Sequence, residues 1–142
     1  MTIEYTILKD LHLVIIFTFD KVNDQASRKI FEEISRDDDF SPDFNQLSDA
    51  RFITENMVTA DGLRVVAQVS PFSKISKNAL LVNRDLEKGR ANQYGIFSTE
   101  SNEFFLVTTE LDYAVKWLGH EEKNISAIQQ VVSKFHDARK LN

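Results

Sequence analysis

Leu11-His12-Leu13-Val14-Ile15-Ile16-Phe17-Thr18-Phe19 is almost continuously apolar. Successive side chains of a strand point to opposite faces, so a run apolar at both parities is buried on both faces and lies centrally in a sheet. Just before it, Thr2 to Ile7 alternates, with Ile3, Tyr5 and Ile7 on one face and Thr2, Glu4 and Thr6 on the other. That pattern suits a half-exposed edge strand. Only the polar break at Lys9-Asp10 separates the two runs, and strands joined this tightly pair as an antiparallel hairpin.

Beyond the central run, Asn23 can cap a helix, with Asp24 in its first turn to meet the dipole. Ala26, Ile30 and Ile34 mark its buried stripe, with Phe31 beside them. A loop from Asp38 to Asn45 leads to a short strand around Gln46 to Ala50. Phe40 and Phe44 flank Pro42 there and are expected to pin the loop to the core. Thr59 caps the next helix, whose stripe is Leu63, Val66, Ala67 and Ser70, and Pro71 stops it. Asn78 to Val82 reads as a third short strand, Asp85 to Phe97 as a helix, and Phe104 to Thr108 as a further strand. Thr109 then caps a helix with Leu111, Ala114, Val115 and Leu118 on its apolar face, ended by Gly119. Strands alternating with helices on this scale imply a parallel sheet with right-handed crossovers. The expected fold is α/β: a single-domain, five-stranded mixed sheet, mostly parallel, with an N-terminal antiparallel edge strand.

The domain so defined covers residues 1–119, and residues 120–142 form an appended amphipathic helix. Its stripe is Ile125, Ile128, Val132 and Phe135, flanked by Val131. Burying one such side chain contributes about 1.5–3 kcal/mol, so the stripe needs a cover. A symmetric homodimer formed through these four residues supplies one; folding back over the chain's own sheet supplies another.

The 142 residues carry a net charge of −5, with 42% hydrophobic residues, four Gly, two Pro and no Cys. This is the composition of one ordinary globular domain. Without cysteine there is no disulfide, thiolate metal site or Cys nucleophile. The acidic balance argues against a global grip on nucleic acid. No apolar run approaches the ~20 residues of a membrane span, and no signal peptide is visible, so a cytoplasmic protein is expected. The charge is uneven: residues 1–63 hold six basic and 13 acidic side chains, whereas residues 64–90 hold six basic and two acidic ones. A positive patch in an acidic protein suits an anion or an acidic partner; solvated helix and loop faces are the plainer reading.

Catalytic and metal signatures fail. Gly62, Gly89, Gly95 and Gly119 build neither a Walker loop nor a dinucleotide fingerprint, and no Ser occupies a G-x-S-x-G elbow. His12, His120 and His136 are far apart, and His12, placed in the buried strand, is expected to be a satisfied core imidazole. Asp37-Asp38-Asp39 with Asp43 resembles the start of a calcium loop, but Pro42 and Ser48 stand where Gly and Glu are required. No cofactor and no metal are expected. What remains is the rim beyond the carboxyl ends of the strands, where open parallel sheets bind ligands. It collects Asp49, Arg51, Thr59, Asn83 and Arg84, with Thr108 and Thr109. Two guanidinium groups near helix starts suit a carboxylate, a phosphate or an acidic partner loop; local ion pairs Asp49–Arg51 and Arg84–Asp85 are the alternative.

Asp39-Phe40-Ser41-Pro42-Asp43-Phe44 followed by Leu47-Ser48-Asp49-Ala50-Arg51 resembles a family of small bacterial proteins of largely unknown function. Their fold is similar to that of the anti-sigma-factor antagonists, the STAS type. Arg84 with Gly89-Arg90, and Ala114 to Gly119, fit the same pattern, and the likeness spans about residues 3–119. Phosphorylatable members of that type carry Asp-Ser before Gly-Leu at a helix start. Here Thr59-Ala60-Asp61-Gly62-Leu63 holds the comparable place, with Val58 for the Asp and Thr59 for the Ser. The resemblance thus marks Thr59 as a phosphorylation candidate, where the local pattern marks it as a cap. It implies a non-enzymatic regulatory module that docks a protein partner through the rim. The alternative is a binder of a small anionic or amphipathic ligand at the same place.

Overall fold

The structure is a computed structural model, and it describes residues 3–83 and 105–140. The chain runs β1 (Ile3–Leu8), a 3-10 turn (Lys9–Leu11), β2 (Leu13–Val22), α1 (Asp24–Ser35), β3 (Asn45–Asn56), α2 (Ala60–Val69), β4 (Asn78–Leu81), β5 (Phe105–Thr108), α3 (Leu111–Trp117) and α4 (Glu122–Lys140). The five strands form one sheet in the order β1-β2-β3-β4-β5. β1 is antiparallel to β2, and every other pair is parallel. The expected architecture is the observed one. The helix expected over 85–97, and Arg84 with it, lie outside the described residues.

β2 is buried on both faces. Leu13, Ile15, Phe17 and Phe19 meet Leu47, Ala79, Leu81, α3 and α4 on one side. Val14, Ile16 and Val22 meet β1, α1 and α2 on the other. His12 is not a core imidazole. It takes the left-handed conformation, φ 51°, that closes the 3-10 turn, and its N–H donates to the Lys9 carbonyl. The reversal that lets β1 and β2 run antiparallel ends there, so the strand begins one residue later. The His12 ring stays exposed and stacks on Phe44 at 5.0 Å. Phe44 is buried and Phe40 packs edge-on to Phe44 and Phe72, so the loop is pinned as its sequence implies.

β3 is much longer than the strand expected around Gln46 to Ala50. It pairs with β2 out to Asn56, but with two slips: Phe17 faces Asp49 and Phe19 faces Phe52, then Asp20 faces Ile53 and Lys21 faces Glu55. Each slip inserts an extra β3 residue, as a β-bulge does, and breaks the two-residue alternation that marks a strand in sequence. The caps at Asn23 and Thr59 form as expected, accepting from the N–H groups of Ala26 and Gly62. Thr109 is not a cap: α3 is preceded by Glu110, which makes no side-chain cap bond, while Thr108 Oγ1 accepts from the Glu110 N–H. Gly119 is left-handed at φ 95°, where other residues are strained.

The chain reverses there, and α4 lies back along the sheet. Ile125, Ile128 and Val132 are buried in the core with Leu13, Ile15 and Phe17, and Phe135 stacks on Phe17 at 3.9 Å. Of the two covers the sequence left open for Ile125, Ile128, Val132 and Phe135, the chain's own sheet is the one seen here. The stripe covers the face of β2 that is otherwise bare, and a connected segment does so without the entropy loss of bringing two molecules together.

Candidate functional site at the carboxyl ends of the strands

Asp49 is the last β3 residue paired with β4, immediately before the first bulge. It is 1% exposed and is among the largest fully buried side chains of the described residues. A buried carboxylate must be paired and hydrogen-bonded to remain charged. Arg51, two residues on, shares the face of Asp49, and the guanidinium grips it with two bonds, Nε to Oδ1 and Nη2 to Oδ2, each 2.9 Å. The backbone N–H of Arg51 adds a third, at 3.2 Å. From α4, His136 Nε2 lies 2.9 Å from Oδ2. A carboxylate only accepts, so Nε2 carries the hydrogen and donates it. Burial alone pushes the Asp49 pKa up; the bonds from Arg51 and His136, with the guanidinium charge, outweigh it and hold the carboxyl below its ordinary 3.8. In return, the bond to Asp49 raises the Arg51 pKa further, against the opposing effect of burial.

Aromatic rings fix the geometry. The His136 ring lies 4.0 Å from Phe52 and edge-on to Phe17. One turn on, Arg139 lies 3.3 Å over the Phe19 ring and donates to Asp20 at 2.9 Å. Asn83, two residues beyond the end of β4, donates its side-chain N–H to the Arg51 carbonyl. The structure therefore brings Asp49, Arg51 and Asn83 together, as the rim reading expected.

Thr59 belongs to a different group. Its hydroxyl donates to Asp24 Oδ2 at 2.8 Å, its N–H donates to Asp24 Oδ1 at 3.0 Å, and its Oγ1 accepts from the Gly62 N–H at 2.9 Å. Asp24, in the first turn of α1, thus also sits at the start of α2, one carboxylate between two positive helix ends. A Cβ at position 62 would lie 1.9 Å from Asp24 Oδ1, so any other residue there must displace the Asp24 carboxylate.

His136 was not among the rim residues expected from sequence. The available signal was its place on the last helix, four residues after the buried Val132, which turns it toward the sheet. The cluster is a closed arrangement. The Asp49 carboxylate is satisfied by Arg51 and His136. Among the described residues, no group of three or more His, Cys, Asp or Glu side chains could hold a metal ion, and no helix is long and apolar enough to cross a membrane. Two apolar side chains face solvent at this end, Phe52 at 46% and Met57 at 56% exposure, among the exposed Thr54, Glu55 and Asn83.

Comparison with protein-family profiles finds no match. Comparison with curated proteins finds none either. Among solved structures, the chain is similar to an uncharacterized protein of the DUF3478 family from Shewanella loihica PV-4, which has a SpoIIAA-like fold. The likeness covers 82% of this chain and 91% of that one, at a TM-score of 0.53 and 13% identity. The fold is therefore SpoIIAA-like, that is, STAS-like, as the sequence motifs implied.

Proposed function

We propose that this SpoIIAA-like chain is a non-enzymatic, cytoplasmic regulatory module that docks a protein partner at the carboxyl end of its sheet, over Phe52 and Met57. A fold transfers no function by itself, so the reading rests on the site. The observation that carries it is the pairing, at one rim, of a closed polar cluster with outward apolar side chains. Arg51 gives both its Nε and its Nη2 to Asp49, so the edge of the guanidinium best suited to grip an anionic ligand is committed to Asp49 instead. Phe52 and Met57 lie within six residues of one another and are both about half exposed. Aromatic and Met side chains are enriched at protein interfaces. Two such residues are a modest surface, suited to a transient contact with a partner that offers an apolar patch.

Thr59 enters this reading as a helix cap. Its hydroxyl faces the Asp24 carboxylate, so a phosphate there would meet a like charge at once.

The test compares immobilised wild type, Phe52→Asp and Met57→Asp in capture from native extract, beside a phosphate titration followed by NMR. A partner retained by wild type and lost about tenfold or more in either variant supports docking, since a buried anchor is worth more than ~1.4 kcal/mol. Equal capture by all three chains, with shifts at Arg51 on adding phosphate, would move the assignment to anion binding.

A further inference from the structure

The opposite face of the same strands holds three polar side chains where the fold calls for apolar ones. Gln46 pairs with Val14 on one side and Asn78 on the other, and Ser48 pairs with Ile16 and Leu80. Residues paired across a parallel ladder point to the same face. Val14, Ile16 and Leu80 belong to the core beneath α1 and α2, so Gln46, Ser48 and Asn78 lie on that face at the centre of the sheet. They are 5%, 8% and 8% exposed. The strand ladder needs none of these side chains, and Val or Leu would bury there with a gain.

Their hydrogen bonding is incomplete in one direction. Gln46 Nε2 donates to Ser48 Oγ at 2.9 Å, and the hydroxyl keeps its own hydrogen to donate. Asn78 Oδ1 is buried without a hydrogen-bond partner among the described residues. A buried amide oxygen left unpaired is unfavourable. The trio lacks a donor for Asn78 and offers a hydroxyl hydrogen at Ser48. It carries no charge, so an ion would lose its hydration without compensation.

We infer that Gln46, Ser48 and Asn78 form a buried binding site for one small uncharged hydroxyl group, which donates to Asn78 Oδ1. Water and a short alcohol share that chemistry. The site is independent of the docking rim, because the trio faces α1 and α2 whereas Asp49 faces α4.

The test is NMR on the full-length, isotope-labelled protein, observing the side-chain amide hydrogens of Asn78 and Gln46. A nuclear Overhauser peak at the water frequency, with the sign of a long-lived molecule, identifies internal water. A peak at another frequency, with a small molecule recovered on denaturation and identified by mass, identifies an alcohol. Either supports the site; neither peak overturns it. Asn78→Leu should abolish the peak at Gln46 without lowering the melting temperature, and Ser48→Ala should weaken it at Asn78. A Gln46 peak unchanged in Asn78→Leu would also overturn the site.

Discussion

His136 Nε2 lies 2.9 Å from Oδ2 of Asp49, a residue 87 positions earlier in the chain, and the bond ties the last helix to the middle of the sheet. It joins a charge-assisted pair already closed by Arg51, so two side chains hold one buried carboxylate in place.

Removing one partner should therefore cost far more than removing the pair. Arg51→Ala leaves the buried Asp49 charge without its counter-ion and should destabilise the protein by about 3–5 kcal/mol. The double variant Asp49→Leu with Arg51→Met should recover most of that loss. Urea unfolding of the set, with m-values compared, measures both.

Stability should depend on Asp49 in acid. Its folded pKa is held below the ordinary 3.8, so the unfolded chain takes up the proton first. The contribution is full above that value and is lost as pH falls through the folded pKa. Unfolding followed from pH 6 down to pH 2 should show a steeper acid loss for wild type than for the Asp49→Leu, Arg51→Met double variant. Equal slopes would assign the acid sensitivity to other carboxylates.

Gly62→Ala should destabilise wild type but not a chain lacking the Asp24 carboxylate. The added Cβ overlaps Asp24 Oδ1 and would drive that side chain off Thr59. In an Asp24→Ala background the overlap is gone, and Ala should be better than Gly in the helix by up to about 1 kcal/mol. Thr59→Ala alone should cost about 1 kcal/mol. Thermal melts of the four chains of the Asp24–Gly62 cycle read the change of sign.

Ending the chain after Gly119 should not leave a folded monomer. It removes Ile125, Ile128 and Val132 from the core and uncovers Leu13, Ile15 and Phe17. Loss of a cooperative melt, or aggregation seen by light scattering, is the expected result.

The sheet was legible because the apolar run from Leu13 to Phe17 and the alternation from Ile3 to Ile7 are local patterns with different periods. The far half of β3 was not, because its bulges break the alternation just where Arg51 and Phe52 turn toward α4. Asp49 and Arg51 could be chosen because the strand legible in sequence ends near Ala50, although β3 runs on to Asn56. His136 could not be joined to them, since that contact depends on how α4 crosses the sheet. The apolar stripe of α4 was plain in sequence, but a stripe does not say which surface covers it: the same four residues suit a second copy or the chain's own sheet.

The docking surface is tested most directly by a photo-crosslinking amino acid placed at Met57 in the full-length protein, irradiated in cells, with Tyr113 as an exposed apolar control elsewhere on the fold. The account predicts one discrete adduct with another protein at position 57, lost when Phe52→Asp is added, and no such adduct at position 113. The same adduct at both positions, or one at 57 that survives Phe52→Asp, would contradict it.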